Sequence, residues 1–206
     1  MITIDKPTMT VEEYEDKSHA KITVEPLEKG YGLTIGNCLR RILLSSLPGA
    51  AIQGISFPDG NVKHEFSAIR GVREDVSEII LNLKEVAILV KDATKNLSEE
   101  SQFSREGERA SIRKHGPAVV TARDIVSDDI SVVAPVFSVV NPDQYICTID
   151  EGCHFEMEMV IGGGRGYIGS KENRKGDKSA YPVTYIPIDS IYTPVKKVCY
   201  LSLIHI

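Results

Sequence analysis

This chain of 206 residues predicts an α+β fold, mainly antiparallel strands with two principal helices. Three observations lead there. Two segments carry apolar residues at helical spacing. Elsewhere short apolar runs recur without the helical crossovers that a parallel sheet needs. An Asp59-Gly60 pair between two such runs is a signal for a tight hairpin.

Residues 21–25 alternate polar and apolar, as a half-buried strand does, and lead into the first helix. In that helix Ile35, Leu39, Ile42, Leu43 and Leu47 fall at i, i+4, i+7, i+8 and i+12, one stripe about three turns long. Thr34 or the preceding glycine turn caps its start, and Pro48-Gly49 cannot continue it. Arg40 and Arg41 point about 100° apart, so at least one leaves the stripe. They form either a docking fork or the solvated face of a short amphipathic helix.

Residues 51–57 and 62–66 read as two strands joined through Pro58-Asp-Gly-Asn61. A second helix is marked by Val72, Val76, Ile79, Ile80, Leu83 and Val86, with Glu74 and Asp75 in its first turn and Lys84 near its end. Short strands are expected at 86–90, 118–121, 130–133 and 146–149, with a polar stretch over 96–108. An alternating strand covers 153–161, and Gly162-Gly-Gly-Arg-Gly166 reads as its flexible exit. Residues 170–179 read as a mobile loop, and a strand-rich end follows from residue 183.

With 42% hydrophobic and 26% charged residues, the composition is that of an ordinary globular chain. A net charge of −5 argues against a chain that itself grips a nucleic-acid backbone. No apolar run approaches the ~18 residues of a membrane span, and the start lacks a secretory pattern, so the cytoplasm is expected. Cys38, Cys147, Cys153 and Cys199 are too scattered for a disulfide scaffold and read as thiols, with Cys38 a small buried or half-buried hydrophobe. Cys147, Cys153 and His154 match no paired zinc spacing and lack a fourth ligand, so no metal and no cofactor is expected.

Gly30-Tyr-Gly32-Leu-Thr-Ile-Gly36 follows a strand and opens a helix, as a phosphate loop does. Its spacing, G-x-G-x-x-x-G without a P-loop lysine, fits neither dinucleotide nor P-loop patterns, so the turn itself is the simpler reason for the glycines. Asp128-Asp129 is isolated and reads as a solvated turn. No G-x-S-x-G, H-E-x-x-H or paired-aspartate pattern supplies a catalytic set.

The passage from Glu25-Pro-Leu-Glu-Lys-Gly-Tyr-Gly to Arg40-Arg-Ile-Leu-Leu-Ser-Ser-Leu-Pro-Gly-Ala50 closely resembles the amino-terminal domain of bacterial RNA polymerase alpha subunits. His64-Glu65-Phe66-Ser67, the block from Gly71-Val-Arg-Glu-Asp75 to Lys84, Gly164-Arg-Gly-Tyr167 and Ile188-Asp-Ser-Ile-Tyr-Thr-Pro-Val195 follow in the family's order. The resemblance implies a discontinuous dimerisation subdomain from residues 1–50 and 180–206, with a strand-rich insert subdomain over 51–179. It implies a non-catalytic assembly subunit that counts as an enzyme only within the polymerase. Its partners would be a second copy and the beta and beta-prime subunits, with no specific nucleic-acid contact and no membrane.

On the same resemblance, Ile35, Leu39, Ile42, Leu43 and Leu47 meet their counterparts in the dimer. Arg40, Arg41, Leu44 and Ser45 face the beta subunit. His64, Glu65, Phe66, Ser67, Glu74, Asp75, Lys84 and Arg165 are candidates for further assembly surfaces, although Phe66 could instead fill the insert core and Glu74-Asp75 could simply cap a helix. Residues 199–206 do not look like the family's continuation, so a truncated chain without the final dimerisation helix or the carboxy-terminal DNA-binding domain is expected. The competing readings are a stand-alone strand-rich protein-binding module unrelated to transcription, and a small nucleotide-dependent enzyme using Gly30 to Gly36.

Overall fold

A computed structural model describes residues 6–15, 18–58, 62, 64–90, 108–127, 137–174 and 184–203. The chain forms two compact units, Met1–Leu44 with Lys197–Ile206, and Ser45–Lys196. Among the described residues every strand pairing is antiparallel.

The first unit opens with a hairpin of β1 (Thr8–Glu13) and β2 (Ala20–Glu25), in register from Thr8↔Glu25 to Glu13↔Ala20. Met9 lies opposite Val24 and Val11 opposite Ile22, so one side is apolar. The other side carries threonines and the Lys21–Glu12 pair at 3.3 Å. β1 was not anticipated from the sequence, although Met9 and Val11 alternate with Thr8 and Thr10.

Helix α1 (Tyr31–Ser45) lies in this unit apart from its last residue. Gly30, at φ +90°, lets the Tyr31 amide reach the Glu28 carbonyl at 3.1 Å, so the glycine turn starts the helix and Thr34 lies inside it. Gly32 and Gly36 are likewise helical, which removes them from any phosphate-cradling loop. The helix ends two residues before Leu47, because the residue ahead of Pro48 is driven out of helical conformation. Leu47 therefore does not extend the stripe. No residue of α1 is buried by the described residues, so Cys38 is exposed rather than half-buried.

In the second unit, β3 (Pro48–Ser56) is followed by α2 (Val76–Lys84), β4 (Ile88–Val90), β5 (Glu108–His115), β6 (Ala118–Thr121) and β7 (Val126–Ser127). β8 (Phe137–Val139), β9 (Tyr145–Ile149), β10 (His154–Arg165), β11 (Tyr167–Ile168), α3 (Ser170–Asn173), β12 (Ile186–Pro187) and β13 (Ser190–Ile191) complete it. The main sheet runs β7-β5-β10-β3-β4-β8, with β12 also on β3. Two-stranded sheets β6-β9 and β11-β13 stand beside it.

β10 shows how pattern becomes core. Phe155, Met157, Met159 and Ile161 are buried while Glu156 and Glu158 between them stay partly open. Phe155 meets Phe57 edge-on, with ring centroids 6.2 Å apart at 70°. Val76, Ile79, Ile80 and Leu83 bring α2 into the same core.

The structure departs from the sequence expectations in four places. Gly162 to Gly164 are not a flexible exit but continue β10, opposite Ala51, Ala50 and Gly49. A Cβ at Gly162 would run into the Gln53 amide, and one at Gly164 would lie 2.7 Å from the Tyr192 ring. Close approach, not flexibility, requires glycine there; it lets buried Gln53 donate to the Tyr192 hydroxyl at 3.1 Å.

Among the described residues of 62–66 there is no strand: His64 to Ser67 is a turn, closed by the Ser67 amide on the His64 carbonyl at 3.1 Å. α2 begins at Val76, because the Asp75 carboxylate accepts the Glu78 amide at 2.9 Å and so caps it. Glu74 is outside the helix, as are Val72, bridged to Ile149, and Val86. Within 170–179, Ser170–Asn173 is a helical turn, α3. Residues 130–133, Asp128-Asp129 and nearly all of 96–108 lie outside the described residues. Among the described residues no helix is long and apolar enough to cross a membrane.

Candidate assembly surfaces

On α1 the apolar stripe is open. Leu39 and Ile42 are 43% and 46% exposed, and Ile35 and Leu43 are half-buried. An isolated helix bearing such a stripe has a surface to cover. Arg40 and Arg41 are exposed beside it, Leu44 is half-buried, and the exposed Ser45 hydroxyl lies 3.3 Å from that of Ser46. Arg41 and Ser45 also make interactions within the chain. Both arginines present planar donor forks, suited to carboxylates or backbone carbonyls of a partner.

In the second unit two predicted segments come together. The Val76 amide donates to the Ser67 carbonyl at 3.2 Å and Ala68 bridges Asp75, so the His64–Ser67 turn and the entry to α2 share one surface. Phe66 is 75% exposed at its tip, and so fills no core. The Ser67 hydroxyl lies 3.3 Å from His64 Nδ1, and Glu65 is exposed. The turn therefore offers an aromatic ring flanked by polar groups.

Glu74 is an anchor. Its carboxylate accepts the Thr148 amide at 2.7 Å and the Tyr145 hydroxyl, while the Arg73 amide donates to the Thr148 carbonyl at 3.1 Å. Partial burial alone would raise the Glu74 pKa, but these two bonds and neighbouring Arg73 together outweigh it and lower it. Tyr145 is shifted the other way, by burial and by the Glu74 charge. Asp75 is held below its ordinary value by the Glu78 amide and the Ser77 hydroxyl, as a capping carboxylate should be. Tyr145 and Thr148 were missed by sequence reasoning because more than 70 residues separate them from Glu74, and neither carries a local signal.

Lys84 lies at the far end of α2, where its Nζ meets Asp189 at 2.8 Å. Arg165 is exposed at the end of β10, opposite Pro48, and just beyond it exposed Tyr167 faces exposed Ile191 across β11 and β13. The bond from Lys84 holds Asp189 below the ordinary aspartate value of 3.8. A lowered carboxylate pKa stabilises the fold above the unfolded value, and that contribution is lost as pH falls through the folded one. Asp189→Asn is thus expected to lower stability by about 0.5–1 kcal/mol near pH 7, with the difference shrinking as pH falls below the ordinary aspartate value. Thermal melts across that range check it, and parallel curves for the two proteins would contradict it.

Cys147 is buried, Cys153 half-buried, and Cys38 and Cys199 are exposed. Burial, then the Glu74 charge, pushes the Cys147 thiol up to about 12, so it stays protonated. His154 stacks on His115 with centroids 4.4 Å apart and lies 3.7 Å from Glu156. Among the described residues no three His, Cys, Asp or Glu side chains are grouped to hold a metal ion.

Comparison with known proteins fits this architecture. Residues 51–193 match the model of the RNA polymerase Rpb3/RpoA insert domain. The chain is also 44% identical over 202 residues to a DNA-directed RNA polymerase subunit alpha of Alkaliphilus metalliredigens (strain QYMF). That alignment covers 97% of this chain and 56% of the relative, so the chain spans just over half of that protein's length. A family match over more than half of the chain, falling on the strand-rich second unit, decides the family: the chain belongs to the RNA polymerase Rpb3/RpoA insert-domain family.

Proposed function

We propose that this chain serves as a non-catalytic assembly subunit of a bacterial DNA-directed RNA polymerase. Two copies pair through α1, and the pair then recruits the beta and beta-prime subunits, whose junction carries the nucleotidyl-transfer chemistry. The observation that carries the reading is the open face of α1, where Leu39 and Ile42 stand 43% and 46% exposed beside Arg40 and Arg41. The kinship with an alpha subunit supports it.

In this reading segments 1–50 and 180–206 carry the dimerisation subdomain and 51–179 the insert. The compact unit made of Met1–Leu44 and Lys197–Ile206, narrower than those segments, supports a subdomain built from both ends of the chain. A two-fold contact uses the same patch twice, so one stripe covers another and makes a symmetric platform. Arg40, Arg41, Leu44 and Ser45 are assigned to the beta contact, and the His64–Ser67 turn with Glu74, Asp75, Lys84 and Arg165 to further assembly contacts. The structure also gives Glu74, Asp75 and Lys84 partners within the fold, so substitutions there test stability and assembly together.

Light scattering on the eluting protein, alone and mixed with a beta subunit, tests the reading. A dimer that co-elutes with beta is expected; a monomer indifferent to beta overturns it. Arg41→Ala is expected to leave the circular dichroism and the dimer intact while weakening beta capture about 30-fold. That corresponds to about 2 kcal/mol for a charged fork lost from an interface. Unchanged capture removes Arg41 from the contact.

A further inference from the structure

The segment from Ile188 to Tyr192 is held by a small set of side-chain bonds that converge on α3. Asn173 Nδ2 donates both of its hydrogens, to the Ile188 carbonyl at 2.6 Å and to the Ser190 hydroxyl at 2.9 Å. Ser190, 1% exposed, passes its own hydrogen to the Ile52 carbonyl of β3 at 2.8 Å. The result is a directed relay from α3 through β13 to the main sheet. On either side the Ile188 amide donates to the Gln53 carbonyl at 2.9 Å and the Tyr192 amide to the Gly166 carbonyl at 2.8 Å. Asp189 adds the ion pair to Lys84 of α2 at 2.8 Å.

The elements so joined are short. α3 has 4 residues, and β11, β12 and β13 have 2 each. Pieces of that length have no independent stability, since neither one helical turn nor a two-residue ladder repays its ordering entropy. Besides the buried Ile188 and Tyr192 side chains, they stay in place through these attachments, and bonds that end on a buried group such as Ser190 are costly to leave half-made.

We propose that Asn173 is a latch: with its amide in place, α3 and the 188–192 segment are clamped to β3, and without it they open together as one local unit while the β5-β10-β3 sheet stays closed. The latch thereby controls whether the exposed Tyr167–Ile191 pair is presented in its ordered form. The device does not depend on the polymerase reading.

Asn173→Asp isolates the effect, because it keeps the shape but turns the donor toward the Ile188 carbonyl into an acceptor. Native-state hydrogen exchange on the intact chain is the measurement. The Ile188 and Tyr192 amides are expected to exchange at least 10-fold faster in Asn173→Asp, with the β5–β10 ladder amides unchanged. Ser190→Ala keeps the bond from Asn173 to Ile188 and is expected to accelerate them less. Unchanged exchange at Ile188 and Tyr192, equal acceleration throughout the β5–β10 ladder, or a larger effect from Ser190→Ala would each overturn the latch.

Discussion

Phe155→Ala is expected to destabilise the Ser45–Lys196 unit by about 3–5 kcal/mol, a large share of the stability of any domain of this size. Phe155 is 1% exposed in β10, the strand that joins β5 to β3 at the centre of the sheet. Its ring is set edge-on to Phe57, 6.2 Å away, so truncation loses the transfer energy, leaves a cavity and removes an aromatic pair. The surroundings cannot collapse into the space cheaply, because the flanking core residues Met157 and Ile112 belong to paired strands. Urea unfolding measures the difference directly. A loss below about 1 kcal/mol would mean that the core is looser than its burial indicates.

On the proposed pairing through α1, Leu39→Glu combined with Ile42→Glu is expected to weaken self-association more than 100-fold, which is a cost above about 2.7 kcal/mol. Both side chains are already about half exposed within the chain, so carboxylates there cost the monomer little. At a two-fold contact the same two positions recur on the facing helix, and up to four like charges would be taken out of water together. Analytical ultracentrifugation of parent and variant gives the ratio of dissociation constants, with circular dichroism showing that the helix persists. An unchanged dissociation constant would place the contact elsewhere than on the stripe of α1.

The difference between these two positions marks where local sequence stops being informative. Ile35, Leu39, Ile42 and Leu43 announce an amphipathic helix by spacing alone, and α1 forms there. Spacing also suggested Leu47, but proline geometry intervened and the helix stopped at Ser45. β5 went unnoticed although Ala110 and Ile112, both buried, alternate with charged or polar neighbours. The Gly162 to Gly164 run was misread because a glycine run is ambiguous in one dimension. It looks like slack until the Gln53 and Tyr192 side chains are seen lying across it.

The candidate surfaces divide in the same way. Arg40 and Arg41 could be placed beside the stripe before any coordinates, since a helix fixes the angle between consecutive residues. That Glu74 is tied to Thr148, Lys84 to Asp189, and Asn173 to Ser190 could not, because each pair is brought together by strand order rather than by spacing.

Residue order alone was enough to establish an antiparallel α+β chain, two amphipathic helices, the alternating core strand β10 and a likeness to alpha subunits. These follow from short-range physics: the 3.6 and 2.0 periods, the closed φ of proline, and motifs read in order. Tertiary structure alone decided that His64 to Ser67 is a turn presenting Phe66, that three glycines lie within a strand, and that α3 clasps β13. Those outcomes depend on which distant backbone and side-chain groups satisfy one another's hydrogen bonds and fill one another's space, and only the folded chain brings those groups together.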